Sequence, residues 1–393
     1  MAITEAKRIT GIEEYYFSRK LKEISDIEKT GINIINLGIG NPDLPPSQST
    51  IDALSKSANQ SRNHGYQGYS SSPELRNAIS EYYNKIYSVV LDPGREILPL
   101  IGSKEGIMHI SMAFLNPGDE VLIPNPGYPA YTSVSKIMGA AIRYYDLNEN
   151  NNWHVNIDEL RTKDLSRVKI MWINYPHMPT GAVAASGLFE ELISIARKHN
   201  FLLCNDNPYS LILNENPQSL LSVGGAKEVA LELNSLSKSH NMAGWRVGWV
   251  AGNEKYVKSV LKVKSNIDSG IFLPIQHAAI EALKNPVDWH KKRNDELRER
   301  KRKVLDLLKL LDCSYDENQV GMFVWAKLPE SVIDTEKFVD KLLSEANVFI
   351  TPGFIFGSNG KKYVRVSLCN SMQKLEEAIR RVKNMFSIKA EIK

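Results

Sequence analysis

Two cationic residues stand eight positions apart in a segment rich in serine and glycine. Lys238 lies between serines and follows an apolar run at residues 229–233. Arg246 comes after a glycine-containing turn and leads directly into a second apolar run, residues 247–251. A lysine at the mouth of a buried strand is not a solvated surface charge, so the pattern predicts an anion-binding site with an amine beside it.

Pyridoxal phosphate requires this combination of groups. An amine forms an imine with the aldehyde of that cofactor, which makes Lys238 the candidate nucleophile. Hydroxyl groups and a guanidinium can hold the phosphate, a role for Ser235, Ser237 and Arg246. Taken alone, the segment could also be a polar loop without a function, because short motifs recur by chance.

A carboxylate, Asp206, ends the apolar run at residues 201–205, and Tyr209 follows it in the next turn. An unpaired carboxylate at the end of a buried strand is costly, so Asp206 needs a cationic partner. A protonated pyridine nitrogen would be such a partner. In isolation, the pair favours a simpler interpretation, in which the aspartate caps a turn.

A third candidate site lies where a predicted strand, residues 97–101, meets a predicted helix, residues 103–115. The sequence at the junction is Gly-Ser-Lys-Glu-Gly. Free amides and the dipole at a helix N-terminus bind anions, so Ser103 and Lys104 are candidates for a phosphate cradle. The serine could also act only as the N-cap of the helix.

The segment from Ser235 to Gly248 resembles the signature Ser-x-Ser-Lys-x-x-x-x-x-Gly-x-Arg-x-Gly of the class I/II (fold-type I) aminotransferases, which include aspartate aminotransferase. The resemblance extends over residues 31–370. It implies that Lys238 forms the imine with pyridoxal 5′-phosphate. It also implies that Asp206 pairs with the pyridine nitrogen and that Tyr209 donates a hydrogen bond to the ring hydroxyl oxygen, O3′.

Further residues acquire roles through the same resemblance. Tyr128, in a Pro-x-Tyr-Pro-x-Tyr loop, matches the tyrosine that stacks on the cofactor ring. Tyr66 matches a tyrosine that crosses a homodimer to the neighbouring subunit's phosphate, in a segment where the family commonly has glycine at the position of Ser71. Arg365 matches the arginine that clamps the substrate α-carboxylate, and the amide of Gly40 would bind the same carboxylate.

One position departs from the family pattern. The family has Asn-Pro-Thr-Gly after a strand, where this chain has Met-Pro-Thr-Gly beginning at Met178. A thioether that cannot donate thus replaces the asparagine that donates to O3′. The neighbouring His177 could reach O3′ instead, but we expect its side chain to point away from the tight turn.

Apolar strands alternate with helices from about residue 46 to residue 285. This pattern predicts an α/β fold whose mostly parallel sheet is covered by helices on both faces, with the motifs beyond the carboxyl ends of the strands. The family resemblance implies a seven-stranded sheet in this large domain. A smaller α+β domain follows at residues 286–393, and residues 1–45 form an N-terminal arm and part of the small domain.

Three shorter elements are predicted outside the large domain. A charged helix is expected at residues 15–29, and a short strand follows it at residues 32–37. Near the C-terminus, a second short strand is expected at residues 348–351. The smaller C-terminal domain as a whole would pack with the N-terminal segment.

Composition excludes several classes of protein. The chain has 393 residues, of which 42% are apolar and 24% charged, and its net charge is +4. These values are typical of a soluble globular protein with about two domains, and they give no basic stripe for nucleic acid or a membrane surface. Cys204, Cys313 and Cys369 lack metal-ligand spacing, which predicts reduced thiols in a cytoplasmic protein and no metal site. Neither a signal peptide nor a membrane-spanning run is evident.

Together, these patterns predict a homodimeric aminotransferase that uses pyridoxal 5′-phosphate to transfer the amino group of an L-amino acid to a 2-oxo acid. Its specificity would be aspartate-like or broad. No arginine lies between Arg246 and Arg293 to bind a distal carboxylate, although Lys264 could do so less specifically.

Two alternatives remain open. A β-lyase or decarboxylase could use the same fold and cofactor, because fold does not fix the reaction. A non-catalytic regulator that binds the cofactor is the other alternative. It would need a DNA-binding module, for which the roughly thirty residues before the first strand are too few.

Overall fold

A computed structural model describes residues 3–10, 12 and 16–391 of the chain. The strands are β1 Ile35–Asn36, β2 Ile97–Leu100, β3 Glu120–Asn125, β4 Ala141–Asp146, β5 Val168–Ile173, β6 Leu202–Asp206, β7 Ala230–Ser235, β8 Gly248–Gly252, β9 Phe323–Lys327, β10 Val348–Phe349, β11 Thr351–Pro352 and β12 Tyr363–Ser367. The helices are α1 Tyr16–Glu28, α2 Gln48–Ala58, α3 Pro73–Tyr87, α4 Ser103–Phe114, α5 Pro129–Ile137, α6 Ile157–Thr162, α7 Leu188–His199, α8 Leu236–Ser239, α9 Glu254–Lys264, α10 Leu273–Leu283, α11 Val287–Leu310, α12 Thr335–Ala346 and α13 Met372–Glu391. None of these helices is both long and apolar enough to cross a lipid bilayer.

The large sheet has seven strands in the order β2-β8-β7-β6-β5-β3-β4. Strand β8 is antiparallel to both of its neighbours, and the other neighbouring pairs are parallel. The predicted mostly parallel, seven-stranded sheet is therefore confirmed. Because β7 and β8 run in opposite directions, the residues that follow β7 and those that precede β8 lie at the same edge of the sheet.

Both faces of this sheet are buried under helices. Along β5, Met171 and Ile173 belong to one hydrophobic cluster, whereas Ile170 and Trp172 belong to a second cluster on the opposite face. Successive side chains of a strand point to opposite faces, so a strand buried on both sides must be apolar at nearly every position. This requirement explains the continuous apolar runs in the sequence.

A third hydrophobic cluster joins residues from the N-terminal part of the chain to residues from the C-terminal part. It contains buried side chains of α1, such as Phe17 and Ile24, together with side chains of α11, α12 and α13. Strands β11, β12 and β9 form an antiparallel sheet, β1 pairs with β10 in parallel, and side chains of β1, β9, β10 and β12 belong to the same cluster. The division into residues 1–45, 46–285 and 286–393 remains a prediction.

Two predicted strands are wrong in their extent. Residues 348–351 are not one strand, because β10 pairs with β1 whereas β11 pairs with β12. The chain changes sheets at Ile350, and Pro352 has no N–H with which to extend a ladder. The strand predicted at residues 32–37 shrinks to β1, where two residues pair with β10. The predicted helix start at residue 15 lies outside the described residues.

Candidate active site

A cavity of about 370 Å³ opens at the carboxyl edge of the parallel strands, between the large sheet and the third hydrophobic cluster. Most residues predicted for the site line it. These are Gly40, Ser103, Lys104, Tyr128, Asp206, Tyr209, Ser235, Ser237, Lys238, Arg246 and Arg365. The carboxyl ends of parallel strands meet at one edge, which is why motifs far apart in the sequence converge here.

Lys238 enters the cavity from the connection between β7 and β8. It lies in the short helix α8, and its Nζ donates a hydrogen bond to the carbonyl oxygen of Gly40 at 2.6 Å. Burial lowers the pKa of Lys238, and the nearby guanidinium groups of Arg365 and Arg246 act in the same direction. A lowered pKa increases the fraction of neutral amine, the form that attacks a carbonyl carbon.

Hydroxyl and guanidinium groups gather at one end of the cavity. Arg246 donates to the hydroxyl of Ser237 at 3.3 Å, and Ser235 donates to the same hydroxyl at 2.9 Å. Ser103 is the first residue of α4, where free backbone amides favour an anion. Position 102, directly before it, requires glycine. The φ of Gly102 is 102°, and a Cβ added there would lie 2.2 Å from Nη2 of Arg246. This end has the donors that a phosphate needs.

Asp206 ends β6 and lines the same cavity. Its Oδ2 accepts a hydrogen bond from the hydroxyl of Tyr131 at 3.0 Å, whereas its buried Oδ1 has no hydrogen-bond partner among the described residues. Burial raises the pKa of Asp206 to about 7, against the opposing effects of Tyr131 and Ser103. A protonated pyridine nitrogen would supply the missing donor and charge, so this carboxylate fits pyridoxal phosphate.

Arg365 lies on β12 at the other end of the cavity. Its Nη2 donates to the carbonyl oxygen of Gly38 at 2.8 Å, and its Nη1 approaches Sδ of Met178 at 3.2 Å. Aromatic rings surround the guanidinium, at distances from Cζ to the ring centroid of 3.8 Å for Phe323, 4.7 Å for Phe356 and 5.6 Å for Phe17. Ring faces attract a cation and restrict its motion, so the guanidinium plane is held in place.

Met178, which stands where the family has asparagine, lies in this same part of the cavity. Met178 lines the wall beside Arg365. His177 is buried outside the cavity, where its Nδ1 lies 2.8 Å from the hydroxyl oxygen of Thr180. Burial lowers the pKa of His177 to about 3, so the ring is neutral at physiological pH. The side chain of His177 therefore points away, as the tight turn predicts.

Several cavity residues were not predicted from the sequence. The sequence could have indicated Tyr131 as a cavity residue, since it is the second tyrosine of the loop that contains Tyr128. Asn174 donates to the carbonyl oxygen of Asp206 and accepts from the amide of Met178. No sequence pattern predicts the three rings around Arg365, because their contacts with it depend on packing between distant parts of the chain.

The prediction for Lys264 is wrong. Its side chain is completely buried, it pairs with Asp268 at 2.7 Å, and it does not line the cavity. A buried ammonium needs an acidic partner, and Asp268 four residues later provides it. Tyr66 is also absent from the cavity of its own chain, and 93% of its surface is exposed. Its contact with a second subunit remains a prediction.

Comparison with known proteins gives the family. The family model described as "Aminotransferase class I and II" matches residues 32–382. The chain belongs to this family. The enzyme is 39% identical to the LL-diaminopimelate aminotransferase of Desulforudis audaxviator, over 98% of each chain. It is also 39% identical to the enzyme of that name from Dehalococcoides mccartyi, over 97% of this chain and 99% of the relative.

A solved structure of substrate-bound BacF from Bacillus subtilis superposes on the enzyme with a TM-score of 0.92, at 34% identity and over 98% of both chains. The family match and these relatives confirm the predicted fold-type I architecture and the aminotransferase class of enzyme. Members of the family use pyridoxal 5′-phosphate, and the residues of the cavity fit that cofactor.

Proposed function

We propose that this aminotransferase transfers the amino group of LL-diaminopimelate, or of a closely related L-amino acid, to a 2-oxo acid. Relatives of that name that are 37–39% identical over most of the chain support this donor. The observation that carries the reaction is the convergence in one cavity of the Lys238 amine, the Asp206 carboxylate and an anion-binding end. This substrate is narrower than the aspartate-like or broad specificity predicted from the sequence.

Pyridoxal 5′-phosphate, when bound, supplies an electron sink for the α-carbon of the amino acid. Lys238 would hold the cofactor covalently through its aldehyde carbon, and the amine, once released by the substrate, would carry a proton to and from the substrate. Asp206 would keep the ring nitrogen protonated, which would strengthen the sink. Tyr209 would donate to the ring hydroxyl oxygen, and Tyr128 would pack on the ring.

The remaining residues bind the two anionic groups. At the phosphate end, the donors are the hydroxyls and amides of Ser103, Lys104, Ser235 and Ser237, together with the guanidinium of Arg246. At the substrate end, Arg365 binds the α-carboxylate bidentately, and the amide of Gly40 assists it. Two arginines line the cavity among the described residues, Arg246 and Arg365. Because Arg246 is assigned to the phosphate, Arg365 is assigned to the substrate.

A homodimer is part of this proposal. Large apolar side chains are exposed in two segments, residues 66–69 and 267–272, among them Tyr66 at 93%, Ile267 at 53%, Tyr69 at 48% and Phe272 at 40%. Such a patch on a globular protein commonly marks an interface. These side chains belong to one patch, because the loop that bears Tyr66 packs on Gly270. A second copy would cover the patch and receive Tyr66 at its phosphate site.

The cellular compartment is inferred from the cysteines. Cys204, Cys313 and Cys369 are buried, and none forms a disulfide. Reduced thiols are typical of reducing compartments. We therefore place the enzyme in the cytoplasm, which cell fractionation would test.

A panel of amino donors tests the substrate. LL-diaminopimelate, L-aspartate, L-methionine and L-phenylalanine are each supplied with 2-oxoglutarate, and the formation of L-glutamate is measured. We expect the highest kcat/KM for LL-diaminopimelate and no glutamate from a Lys238→Ala variant. A higher kcat/KM for L-aspartate would refute the substrate. Release of ammonia or carbon dioxide in place of glutamate would refute transamination and favour a lyase or decarboxylase.

A further inference from the structure

Four ionisable side chains, two of them buried and two largely buried, lie together outside the cavity. They come from α4 and from the segment that ends α9 and leads toward α10, and we refer to them as the buried charge cluster. Its members are Glu105, His109, Lys264 and Asp268, whose exposed side-chain fractions are 13%, 1%, 0% and 15%. Charged groups are costly to bury, so a cluster of this kind must be held together by specific contacts.

Short contacts join the members in two pairs. Oδ1 of Asp268 accepts from Nζ of Lys264 at 2.7 Å and from the amide of Gly270 at 2.7 Å. Nε2 of His109 lies 3.1 Å from Oε1 of Glu105. Ligand atoms of Glu105, His109 and Asp268 all lie within 4.8 Å of one another. The cluster therefore places α4 directly beside the segment at residues 264–270.

Glu105 is linked to the phosphate end of the cavity through one residue, Ile101. Oε2 of Glu105 accepts a hydrogen bond from the amide of Ile101 at 2.7 Å. The carbonyl oxygen of Ile101 accepts one from Nη2 of Arg246 at 3.2 Å. Glu105 also lies in the first turn of α4, whose N-terminus presents Ser103 to the cavity. A shift of Glu105 would therefore displace the donors at the phosphate end.

The same cluster also supports the loop that bears Tyr66. Gly270, which donates to Asp268, has a φ of 87° and lies against the backbone of that loop. A Cβ on Gly270 would lie 2.7 Å from the carbonyl oxygen of Gln67 and 2.9 Å from that of Gly68. Position 270 therefore has no room for a side chain, and glycine allows the loop to pack directly on the backbone there.

We propose that the buried charge cluster is a positioning unit for the phosphate end of the cofactor site. It fixes the N-terminus of α4 and the guanidinium of Arg246 through Glu105, and it fixes the Tyr66 loop through Gly270. This inference rests on the proposed function, in which that end of the cavity binds the cofactor's phosphate. None of the four side chains lines the cavity, so their effect passes through the residues that they hold.

A metal ion is the competing explanation, because two carboxylates and an imidazole are common ligands of divalent ions. The ammonium of Lys264 argues against it. It already neutralises Asp268 at 2.7 Å, and it would repel a divalent ion at the other oxygen of the same carboxylate. The ion pair with Lys264 therefore weakens Asp268 as a ligand for a metal.

The experiment compares two forms of the cofactor. Pyridoxal 5′-phosphate and pyridoxal, which lacks the phosphate, are titrated into cofactor-free, full-length wild type and Asp268→Asn. The change keeps an acceptor for Gly270 but leaves Lys264 without its counter-charge. We expect the dissociation constant of pyridoxal 5′-phosphate to rise about tenfold, a change typical of losing an outer-shell partner. The dissociation constant of pyridoxal should stay the same.

Glu96→Gln is the matched control. Oε2 of Glu96 also accepts from a lysine, Lys227 at 2.7 Å, and from a backbone amide, that of Asp92 at 2.8 Å, but it precedes β2 at the opposite edge of the sheet. We expect it to leave both dissociation constants unchanged. If Asp268→Asn does not fold, as judged by thermal melting, Glu105→Gln replaces it, and the same selective loss is expected.

Three outcomes would overturn the positioning role. They are an equal loss of affinity for pyridoxal, an equal effect of the Glu96→Gln control, and a stoichiometric metal whose removal reproduces the Asp268→Asn effect in the wild type. Failure of the cofactor assignment, the part of the proposed function on which this inference rests, would be distinct, because wild-type protein would then bind neither form of the cofactor at Lys238. Borohydride trapping followed by mass spectrometry identifies that covalent attachment.

Discussion

Arg365 shows how single residues prepare the substrate end of the cavity. Three aromatic rings and the carbonyl oxygen of Gly38 hold its guanidinium before a substrate arrives. A fixed guanidinium loses little side-chain freedom when it binds a carboxylate, so more of the interaction free energy appears as affinity. The geometry of the fork therefore matters as much as its charge.

Arg365→Lys should separate these two contributions. The ammonium keeps the charge but cannot bind a carboxylate bidentately or stack flat on the rings, so we expect kcat/KM to fall on the order of a hundredfold, largely through KM. Steady-state kinetics measures the fall, and the absorbance of the bound cofactor should change little. Loss of cofactor with an unaltered KM would show that Arg365 serves the cofactor and not the substrate.

Met178→Asn should restore the donor that the family has at this position. A donor to O3′ favours the deprotonated form of that oxygen, so we expect the visible absorbance of bound cofactor to change with pH at a lower value than in the wild type. Spectral titration measures the shift. His177→Ala is the control and should leave the transition where it is, because His177 lies outside the cavity. An unmoved transition in Met178→Asn would mean that residue 178 does not face O3′.

Asp206 should make cofactor binding depend on pH. Its pKa in the cofactor-free protein is about 7, above the ordinary value, because burial favours the protonated form. The folded state thus holds a proton that the unfolded state releases, so the free energy of unfolding falls as pH rises from about 4 to 7. Binding of a protonated pyridine needs the carboxylate, so the affinity should rise over the upper part of this range and level off above it.

Pyridoxamine 5′-phosphate is the probe for this effect, because it has no aldehyde for Lys238. We expect its affinity to rise by up to about tenfold per pH unit below the pKa of Asp206. Isothermal titration between pH 5.5 and 8 measures the rise in wild type and in Asp206→Asn. The phosphate also titrates, but it contributes equally to both proteins. Identical slopes would therefore contradict the assignment of Asp206.

Among the loops and turns, the turn before α3 departs from the family in a way that has an energetic cost. Ser71 has a φ of 61°, and its buried hydroxyl has no hydrogen-bond partner in the part of the chain that the structure describes. The turn forms nevertheless, because the amide of Ser71 donates to Gly68 and its carbonyl oxygen accepts from Arg76. Left-handed backbone and an unsatisfied hydroxyl each destabilise a protein by about 1 kcal/mol or more.

Ser71→Gly should therefore stabilise the enzyme by about 1 kcal/mol, since it removes both costs while adding some entropy to the unfolded chain. Chemical denaturation measures the change in the free energy of unfolding. Ser88→Gly is the control, because Ser88 has a φ of 56° but is exposed, and we expect a change within about 0.5 kcal/mol. Equal effects at the two positions would show that the buried hydroxyl contributes nothing.

The same elements show how much of the site could be predicted. Lys238, Arg246 and Asp206 each adjoin an apolar run, and the edge rule for parallel strands brings such residues together. The hydrogen bond from Tyr131 to Asp206 and the ring of Phe17 on Arg365 could not be predicted, because they depend on how separate layers pack. The burial of Lys264 was not predicted, because a charged residue at the end of a helix is normally expected to be exposed.

At the scale of the whole molecule, hybrid dimers test the crossing of Tyr66. A dimer of one Lys238→Ala subunit and one Tyr66→Ala subunit contains one intact site if Tyr66 serves the partner, but no intact site if it serves its own chain. We therefore expect the hybrid, purified by two different tags, to have about half the activity of the wild-type dimer. Activity no higher than that of the Tyr66→Ala homodimer would refute the crossing, and sedimentation would show whether dimers form at all.

The antiparallel strand β8 has a consequence for folding. Residues 236–247 link β7 to β8, and this link is shorter than that between any other sequential pair of adjacent strands in the large sheet. Closing a short loop costs less entropy than closing the longer crossovers that parallel strands require. We therefore expect this strand pair to be among the first parts of the sheet to assemble. The amine of Lys238 and the guanidinium of Arg246 would then be neighbours before the rest of the cavity exists.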